Sequence, residues 1–278
     1  MTRLVTFADG TTVPALGQGT WMIGDDPSRA DAEQAALSRG LDLGLTLIDT
    51  AEMYGDGRSE RLVGEVIKGR RDEVFLVSKV LPQNASDLKM VLACEKSLER
   101  LGADRLDLYL LHWEGHIPIE ETVEAFQELV DEGLIVRWGV SNLDLDAMQR
   151  LEAVDGGDLC AANQLLYNLS SRGIEYDLMP WMRARDMPVM AYSPLGRGGL
   201  LQHPLIVDIA DRHDADPAQI ALAFTLLHDG VIPIPKASSV EHVEKNADAL
   251  DIQFDAEDLE RLDAAFPAPQ TAQPLEMI

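Results

Sequence analysis

The stretch Asp49-Thr50-Ala51-Glu52-Met53-Tyr54-Gly55 follows the apolar run Gly44-Leu45-Thr46-Leu47-Ile48, which is rich in strand-forming residues. A strand that ends in Asp and leads into a turn carrying a Tyr is typical of a site at the carboxyl edge of a parallel sheet. This stretch therefore predicts an α/β fold whose functional side chains lie where its strands end.

Polar side chains of matching chemistry follow three later apolar runs. The run 75–78 ends in Lys79, the run 108–111 ends in His112, and the run 135–140 ends in Ser141 and Asn142. Asp49, Tyr54 and these groups supply an acid, a phenol, an amine and an imidazole. Such a set can make a proton donor that works near neutral pH.

The rest of the chain alternates in the same way, and this alternation predicts parallel βαβ units. A short hairpin with a Gly turn is predicted over 4–14 and a loop over the Pro-containing tail 267–278. The eight predicted strands cover 16–21, 44–48, 73–79, 106–112, 135–141, 161–165, 188–192 and 230–235. The predicted helices cover 29–43, 59–67, 86–101, 120–132, 144–153, 176–185, 217–227, 240–249 and 256–266, with Ser59 and Asp144 as N-caps.

Eight such units close into a (β/α)8 barrel, and 278 residues suit one barrel domain spanning 1–278. The barrel interior is filled with side chains, so the site is expected at the carboxyl ends of the strands. Gly17 and Gly19 only weakly suggest a dinucleotide-binding loop, because the third Gly and the immediate helix are missing.

Composition narrows the possible partners. The net charge of −25 argues against a nucleic-acid partner, because phosphates would be repelled. It indicates either a highly soluble surface, which we favour, or a salt-adapted cytoplasm. There is no apolar run of membrane-spanning length and no signal-peptide pattern at the start, and Cys94 and Cys160 suggest neither a disulfide framework nor a metal site. We expect a cytoplasmic protein that acts as a monomer.

The strand-end groups can support one another chemically. The reference pKa of Tyr is about 10, and a nearby Lys79 ammonium would lower the pKa of Tyr54. Asp49 can pair with Lys79 and fix its position, and His112 can hydrogen-bond a substrate oxygen or relay a proton. Taken singly, each residue has an ordinary structural explanation: a packed Tyr, a helix-capping Asp, a core His. Their occurrence together at successive strand ends favours a catalytic site.

These motifs resemble the aldo-keto reductase superfamily, and among its branches the bacterial methylglyoxal reductase-like branch. The resemblance runs from Gly17 almost to the last predicted helix. It rests on the motifs Ile48-Asp49-Thr50-Ala51-Glu52-Met53-Tyr54-Gly55, Ser78-Lys79-Val80, Leu110-Leu111-His112-Trp113, Gly139-Val140-Ser141-Asn142, Asn163-Gln164, Ala191-Tyr192-Ser193-Pro194-Leu195-Gly196 and Ile234-Pro235-Lys236-Ala237-Ser238.

The resemblance implies an NADPH-dependent carbonyl reductase in which Tyr54 protonates the carbonyl oxygen, with NADH as a weaker alternative cofactor. Tyr192 would stack on the nicotinamide, and the carboxamide would bind Ser141, Asn142 and Gln164. The pyrophosphate would contact the loop from Ser193 to Leu195, with Gly196 as a further cofactor-binding candidate. Lys236, Ser238, His242 and Asn246 would surround the adenosine 2′-phosphate. Thr20 and Trp21 are further cofactor-binding candidates, and no metal is implied.

The substrate is expected to be a small aldehyde, ketoaldehyde or sugar, bordered by Trp21, Met53 and Trp113 beside Tyr54 and His112. Two departures from the family pattern stand out. An Arg is usual where His242 stands, which puts a strict NADPH preference in doubt. A Pro-containing sequence is usual where the segment 165–169 stands.

Two other functions are compatible with such a barrel. One is an NADPH-binding regulatory barrel of the potassium-channel β-subunit type, which the complete set of four strand-end residues argues against. The other is a barrel enzyme that handles phosphorylated substrates without a nicotinamide. Turnover of NADPH with methylglyoxal separates the first from a reductase, and quenching of tryptophan fluorescence by NADPH separates the second.

Overall fold

A computed structural model describes residues 3–196 and 199–278. The predicted hairpin is confirmed: β1 (Leu4–Thr6) pairs antiparallel with β2 (Thr12–Pro14). Gly10 lies in the turn between them with φ 84°, a left-handed conformation that favours glycine.

The predicted barrel is confirmed as well. Strands follow one another in the sheet in chain order, and every neighbouring pair is parallel. The strands are β3 (Gln18–Gly19), β4 (Leu47–Asp49), β5 (Phe75–Val80), β6 (Leu108–Leu111), β7 (Trp138–Ser141), β8 (Asn163–Leu166), β9 (Val189–Tyr192) and β10 (Val231–Pro233).

Backbone hydrogen bonds from residues 17–19 to the end of β10 and the residues after it close the sheet on itself. Gly17 N donates to Pro233 O and Gly19 N donates to Pro235 O, both at 3.0 Å. A Cβ on Gly19 would lie 2.4 Å from the carbonyl oxygen of Ile234, so the two chains can approach only because position 19 is glycine. The two glycines thus belong to this closing seam and not to a dinucleotide-binding loop.

Helices surround the sheet, and their bounds lie within a few residues of the predicted ones. They are α1 (Ala30–Asp42), α2 (Arg58–Ile67), α3 (Asp87–Leu101), α4 (Ile119–Asp131), α5 (Leu145–Glu152), α6 (Leu178–Arg183), α7 (Pro204–Arg212), α8 (Pro217–Thr225), α9 (Val240–Asp248) and α10 (Ala256–Ala265). The tail 267–278 has no regular structure, as predicted.

Three local features test the capping and helix predictions. The side chain of Asp144 accepts a hydrogen bond from Ala147 N, so it caps α5 as predicted. The prediction that Ser59 caps α2 is wrong, because Gly57 occupies the N-cap in a left-handed conformation and Ser59 lies inside the helix. Helix α7 was not predicted; its Pro204 start and the buried Ile209 are ordinary helix signals.

Alternation along the strands sorts side chains between two cores. Leu47 and Val77 point inward and pack with the hairpin residue Phe7, which covers the amino-terminal end of the barrel. Ile48, which follows Leu47, and Leu76, which precedes Val77, pack outward under the helices. The carboxyl end is therefore left for the site. No helix in the two described segments of the chain has the length and apolarity to cross a membrane.

Candidate active site

Asp49 and Lys79 form a buried ion pair at the carboxyl end of the barrel. Both continue the inward-facing positions of β4 and β5, two residues beyond Leu47 and Val77. Lys79 Nζ donates to Asp49 Oδ2 at 2.7 Å and to Thr50 O at 2.8 Å, and its side chain is fully buried. The charge of each partner is thus compensated inside the protein.

A tight turn after β4 holds Tyr54 against this pair. Lys79 Nζ lies 3.1 Å from Tyr54 Oη, and 8% of Tyr54 is exposed. The turn continues through Gly55, Asp56 and Gly57 with φ of 57°, 51° and 77°. A Cβ on Gly55 would lie 2.5 Å from a carboxylate oxygen of Asp25. The glycines therefore let the chain reverse closely enough to bring the phenol to the lysine.

Burial controls the acidity of Tyr54. It raises the pKa of the phenol above its usual value, while the Lys79 ammonium lowers it by a smaller amount. The expectation that Lys79 sets a lowered pKa is thus wrong for the net shift, although the direction of the lysine's own effect is right. For Lys79, burial alone would lower the pKa, but attraction to Asp49 and Tyr54 outweighs it and raises the pKa. At neutral pH the pair presents a protonated phenol beside an ammonium.

His112 lies across the site from Tyr54, with the ring centroids 5.8 Å apart. Burial and the nearby Lys79 charge lower the pKa of His112 to about 3, so the imidazole is neutral at physiological pH. Its Nδ1 atom is buried and has no hydrogen-bond partner among the described residues. A buried polar atom of this kind costs stability and is typical of a site that hydrogen-bonds a ligand.

Amide and hydroxyl groups from neighbouring strand ends lie in one network. Ser141 Oγ donates to Gln164 O at 2.9 Å, and Tyr192 Oη donates to Asn142 Oδ1 at 2.8 Å. Asn142 has φ 62°, a left-handed conformation that Asn tolerates better than most residues. Gln164 Nε2 donates to Asp49 Oδ1 at 2.8 Å, a contact that sequence reasoning did not foresee.

These groups line one cavity of about 470 Å³. Lys79 lies behind its wall, and Ile278 of the tail lies in the wall. The candidate residues lining the cavity are Thr20, Trp21, Asp49, Met53, Tyr54, His112, Trp113, Ser141, Asn142, Gln164, Tyr192, Ser193, Leu195, Gly196 and Lys236.

The structure does not bring three candidates into that cavity. Ser238 lies in the connection before α9, His242 is exposed in the first turn of α9, and Asn246 is buried further along the same helix. They follow Lys236 along the chain, and their contact with a cofactor stays a prediction.

Sequence reasoning missed a buried hydroxyl cluster beneath Tyr54, made of Thr20, Thr50 and Ser59. Ser59 Oγ donates to Thr20 Oγ1 at 2.8 Å and lies 3.0 Å from Thr50 Oγ1. All three side chains are buried. The cluster ties α2 to the ends of β3 and β4, and so fixes the turn that carries Tyr54. A buried Ser inside an amphipathic helix was the one available signal.

The model of the aldo/keto reductase family matches residues 15–266 of the chain. The chain belongs to this family. The aldo-keto reductase is 51% identical over 281 residues to methylglyoxal reductase YeaE from Escherichia coli strain K12, with 99% of each chain covered. It is 32% identical over 263 residues to glyoxal reductase from Bacillus subtilis strain 168, covering 94% of this chain and 91% of that protein.

A solved structure also resembles this aldo-keto reductase along its whole length. The crystal structure of an aldo/keto reductase from Klebsiella pneumoniae in complex with NADP and acetate has a TM-score of 0.97 and 51% identity, with 100% of each chain covered. The resemblance inferred from the sequence motifs is therefore confirmed.

Proposed function

We propose that this aldo-keto reductase reduces small aldehydes and ketoaldehydes, methylglyoxal among them, with NADPH as the reductant. The observation that carries the proposal is the contact of Lys79 Nζ with both Asp49 and Tyr54 at the wall of an open cavity. The full-length similarity to a methylglyoxal reductase and to an NADP-bound reductase supports the choice of reaction and cofactor.

The residues of the cavity suit a nicotinamide cofactor. Lys236 is half-buried, lines the cavity and has no ion-pair partner among residues 3–196 and 199–278, although the chain is strongly acidic. An uncompensated cation in such a chain suits an anionic ligand. Ser141, Asn142 and Gln164 would hold the carboxamide, and Tyr192 would lie against the ring. When bound, the cofactor supplies the hydride that reduces the carbonyl carbon.

The protein's own contribution is a proton and its positioning. Tyr54 Oη would donate a proton to the carbonyl oxygen, since burial keeps the phenol protonated at neutral pH. Lys79 would stabilise the phenolate that forms, and Asp49 holds the ammonium in place. Neutral His112 would hydrogen-bond the same oxygen and orient it.

The walls of the cavity indicate the size of the substrate. Trp21, Met53 and Trp113 line it, and the tail contributes Ile278. The Trp21 ring packs edge-on against Tyr54, with centroids 5.0 Å apart, which leaves little room beside the phenol. Such walls suit a short aldehyde or dicarbonyl better than a bulky ketone. A sugar in its open-chain form belongs to the same proposal.

The regulatory-barrel alternative is less well supported. A barrel that only held NADPH would not need a buried Lys–Asp pair contacting a phenol, because burying such a pair is costly. The phosphorylated-substrate alternative gives no reason for the amide-binding groups Ser141 and Asn142 beside Tyr192.

We also propose a domain organisation, an oligomeric state and a cellular location for the enzyme. It acts as one domain over 1–278, as a monomer in the cytoplasm, with a small carbonyl compound and no nucleic acid as its partner. Both cysteines are buried and free, as a reducing compartment favours, and the net charge of −25 opposes binding to phosphate polymers.

The test is a panel of aldehydes, including methylglyoxal, assayed by loss of NADPH absorbance, with NADH run in parallel. We expect turnover with short ketoaldehydes and a preference for NADPH. Fluorescence titration of both cofactors runs beside the assay and reports binding without turnover. NADPH binding without reduction of any carbonyl would favour the regulatory barrel, and absence of binding would refute the whole proposal.

A further inference from the structure

Arg29 contacts Ser238 beside the seam where the barrel closes. The guanidinium Nη2 donates to Ser238 Oγ at 2.7 Å, between residues separated by 209 positions in the chain. Arg29 ends the short 3-10 turn before α1, and Ser238 lies just before α9. The contact therefore joins the connections that follow the first and the last strand of the barrel.

The charge of Arg29 is only partly compensated by nearby carboxylates, since Asp26 interacts with it electrostatically and Glu33 lies at ion-pair distance. Its paired carboxylate is Glu33, at 3.9 Å, and the other oxygen of Glu33 accepts a hydrogen bond from Gly24 N at 2.8 Å. On the same side of the molecule Arg39 contacts Glu244 at 2.8 Å. The side chain of Arg29 is 51% exposed, so its remaining N–H groups face solvent.

The hydroxyl group of Ser238 can donate a hydrogen bond to an anion. Its oxygen accepts from Arg29, so its hydroxyl hydrogen stays available for donation to a third group. Lys236, two residues earlier, has no ion pair within the described part of the chain. The next residues begin α9, whose first-turn N–H groups carry partial positive charge. Arg29, the Ser238 hydroxyl and the start of α9 thus lie together, two residues along the chain from the cavity-lining Lys236.

We propose that Arg29 is a specificity-determining residue that binds the 2′-phosphate of NADPH together with Lys236 and Ser238. The inference rests on the proposed function, since it concerns the cofactor assigned there. A guanidinium stays charged at every physiological pH and grips phosphate with two parallel N–H groups. Arg29 thus supplies a guanidinium to Ser238 from the neighbouring connection of the seam, while His242 lies in the first turn of α9.

NADH carries a hydroxyl where NADPH carries the 2′-phosphate. Removing Arg29 should therefore weaken the binding of NADPH and not that of NADH. Removing a charge-assisted hydrogen bond weakens binding by about 10- to 100-fold. Arg29→Ala should weaken NADPH by that factor and leave NADH almost unchanged. Arg29→Lys should weaken NADPH binding less than Arg29→Ala does, because lysine keeps the positive charge but lacks the planar guanidinium.

The experiment is equilibrium titration of NADPH and NADH by tryptophan fluorescence, with the full chain and three variants. The variants are Arg29→Ala, Arg29→Lys and the control Arg39→Ala. Arg39 is a similarly exposed arginine of α1 whose loss removes the same charge and an α1–α9 contact. We expect the ratio of the NADPH and NADH dissociation constants to change in Arg29→Ala and to stay at the wild-type value in Arg39→Ala.

Thermal melts of the same proteins show whether Arg29 binds the ligand or only joins the two connections through its contact with Ser238. If Arg29 only joined the two connections, Arg29→Ala would lower Tm and weaken both cofactors equally, and the proposal would be overturned. An unchanged ratio in a stable Arg29→Ala protein would overturn it too. Failure of the wild-type protein to bind either cofactor would instead refute the proposed function.

Discussion

The proposed proton donor, Tyr54, is a buried phenol beside an ammonium. Burial raises the pKa of Tyr54, and Lys79 at 3.1 Å would stabilise the phenolate left after the proposed proton transfer. Asp49, Lys79 and His112 could be assigned from the sequence, because each follows an apolar run at a strand end. The contact between Gln164 and Asp49 could not, since it joins residues 115 positions apart and depends on barrel geometry.

Replacing Tyr54 with Phe tests the proton donor. Tyr54→Phe keeps the buried ring but removes the hydroxyl, so turnover with methylglyoxal should fall by about 10²- to 10⁴-fold. NADPH binding, measured by fluorescence titration, should persist. Tyr176→Phe is the control, because Tyr176 is exposed and remote from the cavity. Turnover of Tyr54→Phe near the wild-type rate would refute the mechanism.

Replacing Lys79 with Met tests the ion pair. Lys79→Met leaves Asp49 as a buried carboxylate without its cation, which should cost about 3–5 kcal/mol of unfolding free energy and abolish most turnover. The double variant Asp49→Asn with Lys79→Met removes the stranded charge. It should recover stability in urea unfolding without recovering activity. Equal stability of the single and double variants would contradict this account.

His112 should make stability depend on pH. Its folded pKa of about 3 lies below the usual value, so the unfolded chain binds the proton more readily. This contribution is therefore complete above about pH 6.5 and is lost as pH falls toward 3. Between pH 7 and pH 5 the loss amounts to about 2 kcal/mol. We expect urea unfolding of His112→Asn to lack that part of the decline.

The exposed His116 provides the control for this measurement. His116→Asn should change the unfolding free energy by less than about 0.5 kcal/mol, because replacing an exposed side chain away from buried networks has a small effect. Identical pH dependence in His112→Asn and the wild-type protein would show that the buried imidazole is not the group that titrates.

At the scale of elements, the pattern of apolar residues predicts the barrel, but it does not predict the polar contacts that join one element to another. The alternation of strands and helices follows from which faces must be buried, so it is visible in one sequence. The role of Ser59 was misassigned, because a Ser at a helix start is typical of an N-cap, whereas here the packing of Thr20 and Thr50 draws it inward. The Arg29–Ser238 contact likewise depends on closure of the barrel.

The seam between the first and last strands is the element most sensitive to a single methyl group. Gly19→Ala would put a Cβ 2.4 Å from the Ile234 carbonyl oxygen, which belongs to backbone and cannot move aside alone. We expect a loss of about 1–3 kcal/mol in urea unfolding. Gly199→Ala is the control, since nothing lies within 4 Å of a Cβ there and φ is −86°. Equal stability of both variants would contradict the seam's role.

At the scale of the whole molecule, an excess of acidic groups surrounds a site proposed to bind an anion. The chain has 48 Asp and Glu residues against 23 Lys and Arg residues. Local cations such as Lys236 are therefore needed to attract the cofactor against the general field. The same excess destabilises the folded chain by repulsion between like charges, and dissolved salt screens that repulsion.

Raising NaCl from about 0.05 M to about 0.5 M should therefore raise Tm by roughly 2–5 °C, because the screening length shortens below the usual spacing of surface charges. Exposed ion pairs are screened too, but each contributes only about 0–1 kcal/mol, so the net repulsion of 25 charges should dominate.

The measurement is a series of thermal melts, repeated with KCl to exclude binding of one cation. A Tm that stops rising near 0.5 M indicates screening of an ordinary soluble surface. A Tm that climbs steadily into molar salt would favour the salt-adapted interpretation, and a falling Tm would show that local ion pairs outweigh the repulsion.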